Sequence, residues 1–320
     1  MFERLLGHWR RQRQSIERAE AHLANIAELL AASETRNAAL AARIELQLKQ
    51  LNQLEIHLGR MEHQMALSHP RFAAPLRLER FGRKVFSQND EDGIIAEIFR
   101  RIGATSRSFV EIAAGDGKVN CSAFLLSQGW RGLWVECDAD NVRSIQGAWP
   151  KEIANGQLQV SQTFVSVENV NDVIAGAKLG DEIDILIMDI DGNDYHLLEA
   201  LKARPRVICA EYSARRPPPV SWIMPRDDEF RWGGMGDERE VGASLQALED
   251  LLTPRGYSLV GSSIAGVNCF FVRSDLVEGK FEAPFTAYNH FNPVRYWYFT
   301  LNFMSQIWMG PPDGQPPSTP

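Results

Sequence analysis

The sequence predicts an α/β fold in which a mainly parallel sheet with crossover helices follows a long N-terminal helix. Three features predict it. The stretch Ser108–Asp138 has the order strand, glycine turn, helix and strand, which is the unit of nucleotide-binding sheets. Short apolar segments then alternate with helical ones, and a hairpin pattern closes the series. Residues 1–67 lack proline and repeat apolar side chains at steps of three and four, as an amphipathic helix does.

The composition narrows the class of protein. With 320 residues, 44% hydrophobic and 23% charged, the chain has globular values and suits one large domain with an appendage. A net charge of -7 argues against a nucleic-acid partner, whose binding surface is usually basic. The cysteines lack C-x-x-C spacing, so we expect buried, reduced thiols in a cytoplasmic protein and no zinc site; they are Cys121, Cys137, Cys209 and Cys269.

The segment 1–67 is predicted to be a helix with a coiled-coil seam. Its repeat slips at the step from Leu51 to Leu54, and Ser33–Asn37 interrupts it, which predicts a break between two helices. We expect the seam to join copies of the chain into a homo-oligomer rather than to lie on its own domain, because it is long and narrow. A basic cluster around Trp9 is interpreted as a solvated face in preference to a membrane-surface contact; its residues are Arg10, Arg11 and Arg13.

Residues 68–85 are predicted to be a linker, because two prolines interrupt regular structure. The next segment, Ser87–Gly93 (SQNDEDG), has two interpretations. Ser87 is a good N-cap, and the acidic residues after it would complement the positive end of the following helix. Alternatively, the segment forms a polar lip over a ligand pocket, with Gln88 among the cofactor contacts.

The turn after the first strand indicates the kind of nucleotide. Glycine lets the backbone turn tightly and approach a ligand closely. The dinucleotide motif G-x-G-x-x-G would need a glycine where Lys118 stands. The spacing acid-x-G-x-G-x-G is met, with one alanine substitution, by Glu111, Ala113, Gly115 and Gly117. This version suits S-adenosylmethionine, which carries an adenosine and an amino acid but no phosphate.

A carboxylate at the end of the second strand supports a nucleoside ligand. Glu136 lies 21 residues after Gly115, close to the ~20 residues expected for an acid that binds a ribose diol. An ordinary strand-to-helix turn without a ligand is the alternative, and Glu136 makes it less favoured.

Two later strands, predicted at Ile183–Met188 and Arg206–Tyr212, also end in carboxylates. Asp189 and Asp191 follow the first and would point to one face, because they are two residues apart on an extended chain. Glu211 ends the second. Asp189 and Asp191 are candidate general bases, and all three are candidate oxygen ligands of Mg²⁺. The alternative is ion pairing with arginines that follow in the chain, namely Arg215, Arg216 and Arg226.

The C-terminal third contains a long insertion and a hairpin. Residues 213–241 are too long for a routine connection, so a lid or substrate loop is expected. A helix over 243–252 and two strands with a tight connection follow. The aromatic stretch 290–304 is expected to pack on the domain, and the end of the tail 301–320 to be disordered by composition.

These segments, in this order, resemble FkbM-type S-adenosylmethionine-dependent methyltransferases. The likeness rests on SQNDEDGI, FVEIAAGDG, GWRGLWVECD, ILIMDIDGNDYHLLEAL, RVICAEYSA and GVNCFFVR, and it covers about residues 86–276. It implies a Rossmann-like seven-stranded class I methyltransferase sheet with a terminal antiparallel hairpin, in a domain spanning 86–300. It also implies methyl transfer to oxygen, often on a sugar or another small metabolite, in some cases with Mg²⁺.

The resemblance also implies roles for individual residues. The residues of the glycine turn would line the methionine part of the cofactor, Glu136 would hold the ribose, and Asp189 would lie near the transferred methyl group. Two positions depart from the family pattern: Ala113 replaces the usual glycine, and Ser213 stands where an asparagine is often found.

The leading hypothesis is an O-methyltransferase that acts on a saccharide or a related small-molecule hydroxyl, whose proton passes to an enzyme carboxylate. The alternative is a coiled-coil scaffold whose methyltransferase-like domain binds a ligand without chemistry, and the long N-terminal seam motivates it. A nicotinamide-dependent oxidoreductase is disfavoured by Lys118.

Overall fold

The computed structural model describes residues 2–180, 182–231, 233 and 239–295. The chain divides into two compact units, Met1–His57 and Leu58–Pro320. No helix in the described part of the chain is both long enough and apolar enough to cross a membrane. The predicted packing of the aromatic stretch beyond residue 295, and the tail 301–320, lie outside the described residues.

Helix α1 runs from Phe2 to Leu67 without interruption, so the predicted break at Ser33–Asn37 is wrong. Strong helix formers flank these polar residues on both sides. The hydroxyl of Thr35 donates a hydrogen bond to the carbonyl oxygen of Ala31 one turn earlier, at 2.9 Å, which lets the polar side chain stay within the helix. The side chains of several residues in the basic cluster around Trp9 lie outside the described set, and Trp9 itself is exposed.

The segment after α1 is part of the second unit. Two short 3₁₀ helices occupy Pro70–Phe72 and Leu78–Phe81, and the side chains of Phe72 and Leu78 are buried. Phe72 shares a small apolar cluster with Ile264 and with the end of α1. The residues predicted to be a linker therefore contribute to the core.

Seven strands form one mixed sheet, which confirms the predicted fold class. The order is β3-β2-β1-β4-β5-β7-β6, and β7 alone runs opposite to the other six strands. The arrangement is the Rossmann-like methyltransferase sheet with its terminal hairpin. The strands are β1 Ser108–Ile112, β2 Arg131–Glu136, β3 Leu158–Gln162, β4 Ile185–Met188, β5 Val207–Glu211, β6 Tyr257–Ser262 and β7 Asn268–Arg273.

Helices cover both faces of the sheet. The strand β1 is buried throughout, with Val110 and Ile112 in one apolar cluster and Phe109 in the other, as the alternation of a strand between two helical layers requires. The helices after α1 are α2 Glu91–Ile102, α3 Ala123–Ser127, α4 Ala139–Ala148, α5 Pro150–Ala154, α6 Val170–Gly176, α7 Asp194–Ala200, α8 Leu245–Leu252 and α9 Ala287–His290.

Two local predictions are corrected. Helix α2 begins at Glu91, so Ser87 is not its N-cap. Instead one carboxylate oxygen of Asp92 accepts the backbone N–H groups of Val85, Phe86 and Ser87 at 2.7 to 2.8 Å, which folds the segment back over the helix start. The four cysteines are free thiols; three are buried as predicted, but Cys137 is exposed, because it follows the last residue of β2.

Candidate functional site

The turn after β1 adopts the left-handed conformations that its glycines suggested. Ala113, Gly115 and Gly117 have φ values of +62°, +57° and +76°. A Cβ at Gly117 would stand 2.7 Å from the Cγ1 atom of Ile145, whereas no described atom lies within 4 Å of that place at Gly115. One glycine therefore allows close packing on α4, and the other leaves open space beside the turn.

Glu136 ties the end of β2 to this turn. Its carboxylate is buried and accepts the backbone N–H groups of Gly115 and of Asp138, both at 2.8 Å. A carboxylate offers about four lone-pair sites, so acceptor capacity remains for hydroxyl groups. Glu136, the residue predicted to bind the ribose, therefore lies beside the predicted glycine turn.

Glu111 makes only internal contacts among the described residues. Its carboxylate accepts the backbone N–H groups of Cys121 and Ser122 at 2.9 and 3.0 Å and also the Ser122 hydroxyl. The indole N–H of Trp134 donates to the same hydroxyl at 2.7 Å. Burial raises the pKa of Glu111 to about 7. These contacts hold β1 against the start of α3, and a direct cofactor contact of Glu111 stays a prediction.

The SQNDEDG segment reaches the sheet through Glu91 rather than through Gln88. Gln88 is exposed, and its carbonyl accepts from the Lys84 ammonium at 2.7 Å. Glu91 is buried and accepts from the side-chain amides of Asn89 at 3.1 Å and Asn268 at 3.2 Å. Asn268 is the register partner of Glu211 at the start of β7, so the segment adjoins the edge that carries the carboxylates.

Buried acceptors without a described partner line this region. The side-chain oxygens of Asn120 and Asn268 and one oxygen of Asp92 are inaccessible to water and have no hydrogen-bond partner among the described residues. The amide nitrogen of Asn268 lies 4.0 Å from the sulfur of Cys121, next to Asn120. The region between the start of α2, the segment before α3 and the start of β7 is therefore rich in acceptors that lack a donor among the described residues. Sequence reasoning missed Glu91, Asn120 and Asn268, because no spacing rule links positions so far apart in the chain.

Asp189, Asp191 and Glu211 come together at the carboxyl ends of β4 and β5. One carboxylate oxygen from each lies within 4.8 Å of the others, and all three side chains are partly buried. The reason differs from the predicted one. Strand β4 ends at Met188, and Asp191 has a left-handed φ of +54°, so a turn rather than strand alternation brings it back to Asp189.

Asp194 holds that turn in shape. Its carboxylate accepts the backbone N–H groups of Ile190 and Gly192 at 2.8 and 2.9 Å. Asn193 occupies the N-cap position of α7 without a side-chain cap bond. Of the three acidic residues after β4, Asp194 therefore stabilises the turn, whereas Asp189 and Asp191 face the site.

The carboxylates disfavour one another's ionisation. Burial, followed by the neighbouring carboxylates, raises the pKa of Asp189 and of Glu211 well above the usual range. Burial and then Asp194 raise the pKa of Asp191 to about 6. Asp189 and Glu211 are hydrogen-bonded to each other, which favours a proton on Glu211. Asp191, with a pKa of about 6, is largely ionised at neutral pH.

Two of the arginines proposed as ion-pair partners are engaged elsewhere. Arg216 pairs with Glu240 at 2.8 Å, and Arg226 pairs with Glu168 and Asp228. The ion-pair alternative is therefore wrong for Arg216 and Arg226.

The insertion after β5 runs along the same edge of the sheet. The side-chain amide of Asn193 donates to the carbonyl of Asp227 at 2.7 Å, and the Phe230 ring lies against Gly192. Farther along, the Arg231 guanidinium stacks over the ring of Phe164 at 3.9 Å. The described part of the insertion thus extends from the acidic turn, residues 189–194, towards the residues after β3. Trp232 and residues 234–238 lie outside the described set.

No protein-family model matches this sequence, and no curated protein matches it. Among solved structures, the chain is similar to magnesium protoporphyrin IX methyltransferase (ChlM) from Synechocystis PCC 6803 with bound SAM, at 14% identity over 58% of this chain and 79% of that one, with a TM-score of 0.39. It is also similar to the N-terminal domain of EvdMO1 with SAH bound, at 16% identity over 57% and 79%, with a TM-score of 0.37. The methyltransferase domain of bacterial CtHen1 has 11% identity over 61% and 98%, with a TM-score of 0.37. The fold assignment here rests on the strand order described above.

Proposed function

We propose that the protein is an S-adenosylmethionine-dependent O-methyltransferase of the FkbM type, which acts on a saccharide or a related small-molecule hydroxyl. The observation that carries the proposal is the juxtaposition at one sheet edge of the left-handed glycine turn, the carboxylate of Glu136 and the cluster of Asp189, Asp191 and Glu211. Open α/β sheets place their ligands at this edge.

The residues beside the glycine turn fit the cofactor. Glu136 has acceptor capacity for a ribose diol, and Gly115 leaves open space next to it. The unpartnered acceptors of Asn120 and Asn268, together with Glu91, match a donor such as the ammonium of the methionine part. When bound, S-adenosylmethionine supplies an electrophilic methyl group.

The carboxylate cluster supplies the base. An effective general base has a pKa near the working pH, and the value of about 6 at Asp191 meets that requirement. The acceptor hydroxyl donates its proton to the Asp191 carboxylate, and the oxygen becomes the nucleophile. The hydrogen bond between Asp189 and Glu211 raises the pKa of Glu211, so Glu211 carries the proton of the pair and Asp189 orients the acceptor. Replacing Asp189 by Ala abolishes turnover in this scheme; full activity of a folded Asp189→Ala protein would remove the residue from the mechanism.

We also propose a second form of the same site, in which the cluster holds Mg²⁺ and its three carboxylates act as ligands in place of carrying protons. Three carboxylate oxygens within 4.8 Å of one another are a donor set of the kind that Mg²⁺ prefers, and the charges nearest to them are other carboxylates. The proton on Glu211 would leave as the ion binds. Magnesium should therefore raise the melting temperature at pH 8 and have little effect at pH 5.

The acceptor site lies under the insertion. Phe230 offers an aromatic ring beside the acidic turn, and Trp222 is partly buried next to Arg216; aromatic faces of this kind stack on sugar rings. We place the protein in the cytoplasm, because three buried thiols remain unpaired. We further propose that copies of the chain associate through α1.

Calorimetric titration of the full chain with S-adenosylhomocysteine tests the cofactor. The wild type should bind it and should not bind NAD. Replacing Glu136 by Gln should weaken binding at least tenfold, which corresponds to about 1.4 kcal/mol, because one acceptor becomes a donor. Glu152→Gln on α5 is the matched control and should leave the affinity unchanged. Equal affinity of both variants and the wild type would remove Glu136 from the site.

The scaffold remains the second candidate, because large apolar side chains along α1 are exposed. The two functions differ in their response to the loss of residues 1–57, the first compact unit. An enzyme retains methyl transfer after this truncation, whereas a scaffold loses its role. A folded full-length chain that binds neither S-adenosylhomocysteine nor NAD would favour the scaffold.

A further inference from the structure

The unbroken course of α1 reveals a regular seven-residue repeat. Residues at steps of seven from Phe2 to Met65 are large and apolar at every position except Asn37, and the apolar members are 49% to 81% exposed. The slip predicted at the step from Leu51 to Leu54 disappears in this seven-residue register. Leu48 lies beside the seam, and Leu51 follows Ile44 by seven residues and continues it. The repeat defines the a positions of a coiled coil.

The second row of the seam supports the same register. Residues at steps of seven from Ile26 to Met61 occupy the d positions, and they are Ile26, Ser33, Leu40, Gln47, Leu54 and Met61. Ser33 precedes Asn37 by one turn, so two adjacent layers in the middle of the helix are polar, and Gln47 adds a separate polar d position. The segment predicted to break the helix is therefore the polar centre of its seam.

We infer that α1 forms a parallel, in-register, two-stranded coiled coil with a second copy of this chain, and that Asn37 specifies that arrangement. The inference rests on the self-association proposed above and not on methyl transfer. An asparagine at a single a position specifies register and strand number at a cost in stability, because its amide is satisfied opposite the same residue of the other helix and is left unpaired against an apolar layer.

The charges flanking the seam favour the parallel orientation. The e positions form one flank, which has a net negative charge because Arg13 is outnumbered by acidic residues, namely Glu20, Glu34, Glu55 and Glu62. The g positions form the other flank, which carries Arg36 and Arg43 and no acidic residue. Parallel helices place the e flank of one copy along the g flank of the other, so acidic and basic flanks meet. Antiparallel helices would place each flank along its own kind.

Sedimentation equilibrium of the full chain tests the strand number. The expected mass is twice the 36.0 kDa of one chain. Replacing Asn37 by Leu should lower the dissociation constant at least tenfold and produce species larger than a dimer, because the polar layer no longer penalises other arrangements. A wild-type trimer or tetramer, or an Asn37→Leu protein with unchanged mass and affinity, would overturn the role of Asn37. A monomer would overturn the self-association as well.

Disulfide trapping tests orientation and register. In a Cys137→Ser background, Ala19→Cys places a thiol at a d position, where parallel in-register helices bring it opposite its own copy. Ala21→Cys, at the outward f position, is the matched control. Mild oxidation should link the Ala19→Cys dimer and leave the Ala21→Cys dimer unlinked. A dimer in which Ala19→Cys does not link, or both variants link equally, would overturn the arrangement while leaving the cofactor titrations unaffected.

Discussion

Replacing Asp191 by Asn should stabilise the folded protein while abolishing its activity. Asp191 has a left-handed φ of +54°, which asparagine tolerates as well as aspartate does, so the change adds no backbone strain. Burial and then Asp194 raise its pKa from 3.8 to about 6. At 1.36 kcal/mol per pKa unit, ionisation of this side chain costs the folded state about 3 kcal/mol above pH 7.

The pH dependence of that gain separates it from a general packing effect. A carboxyl whose folded pKa exceeds its unfolded pKa destabilises the fold as pH rises from about 4 to about 6, and the full cost remains above that range. The gain of Asp191→Asn should therefore be about 3 kcal/mol at pH 7.5 and about 1 kcal/mol at pH 4.5. A variant that is less stable than the wild type at pH 7.5, or equally stabilised at both pH values, would refute the reasoning.

Urea unfolding at fixed protein concentration measures this difference, because association through α1 would otherwise shift the midpoint. Asp172→Asn, which changes an exposed aspartate in the first turn of α6, is the matched control and should change the free energy of unfolding by less than about 0.5 kcal/mol.

Three further changes test the folded structure. Ala113→Gly should raise the free energy of unfolding by about 0.5–1 kcal/mol, because alanine pays for its left-handed φ of +62°; chemical denaturation that shows a loss would contradict this. Ser122→Ala should cost about 2 kcal/mol in the same assay, because the buried Glu111 carboxylate and the Trp134 indole N–H both lose a partner; an unchanged midpoint would count against it. Burial, and then the charge of Arg77, lower the pKa of His290 to about 3. The free energy of unfolding is therefore full above pH 6.5 and falls by about 2 kcal/mol at pH 5. His290→Gln should flatten this dependence on pH, and an identical dependence would exclude the histidine as its cause.

The sequence predicts the sheet well because each of its strands has a local signal. Apolar runs such as Ile185–Met188 have no alternative to burial, and the hairpin around Gly266 is marked by its turn. The carboxylates that end β2, β4 and β5 could be predicted for the same reason, because a polar residue directly after a buried run must lie at the sheet edge. The convergence of Asp189, Asp191 and Glu211 follows from the adjacency of β4 and β5.

The contacts that complete the site have no local signal. Glu91 and Asn268 are separated by 177 residues in the chain, and only the folding of the whole domain brings them together. The exposure of Gln88 depends on Asp92, whose carboxylate gathers three backbone N–H groups and turns the preceding segment. Such side-chain-to-backbone bonds compete with ordinary helix capping, and sequence spacing does not show which of them forms.

The polar segment Ser33–Asn37 shows how one local pattern supports two opposite structures. Taken alone, serine and asparagine within a helical repeat favour a helix end, because their side chains compete for backbone hydrogen bonds. In an unbroken helix, the same residues stand at the a and d positions, where a polar side chain weakens the seam but permits few alternative alignments. The seven-residue spacing on both sides of this segment decides between a helix end and an unbroken helix. A helix end at residue 33 would give no reason for the apolar residues after it to keep the register of those before it. That register is kept from Ile16, Leu23 and Leu30 to Leu40, Ile44 and Leu51. The preserved frame across the polar layers is therefore evidence that Asn37 faces the seam.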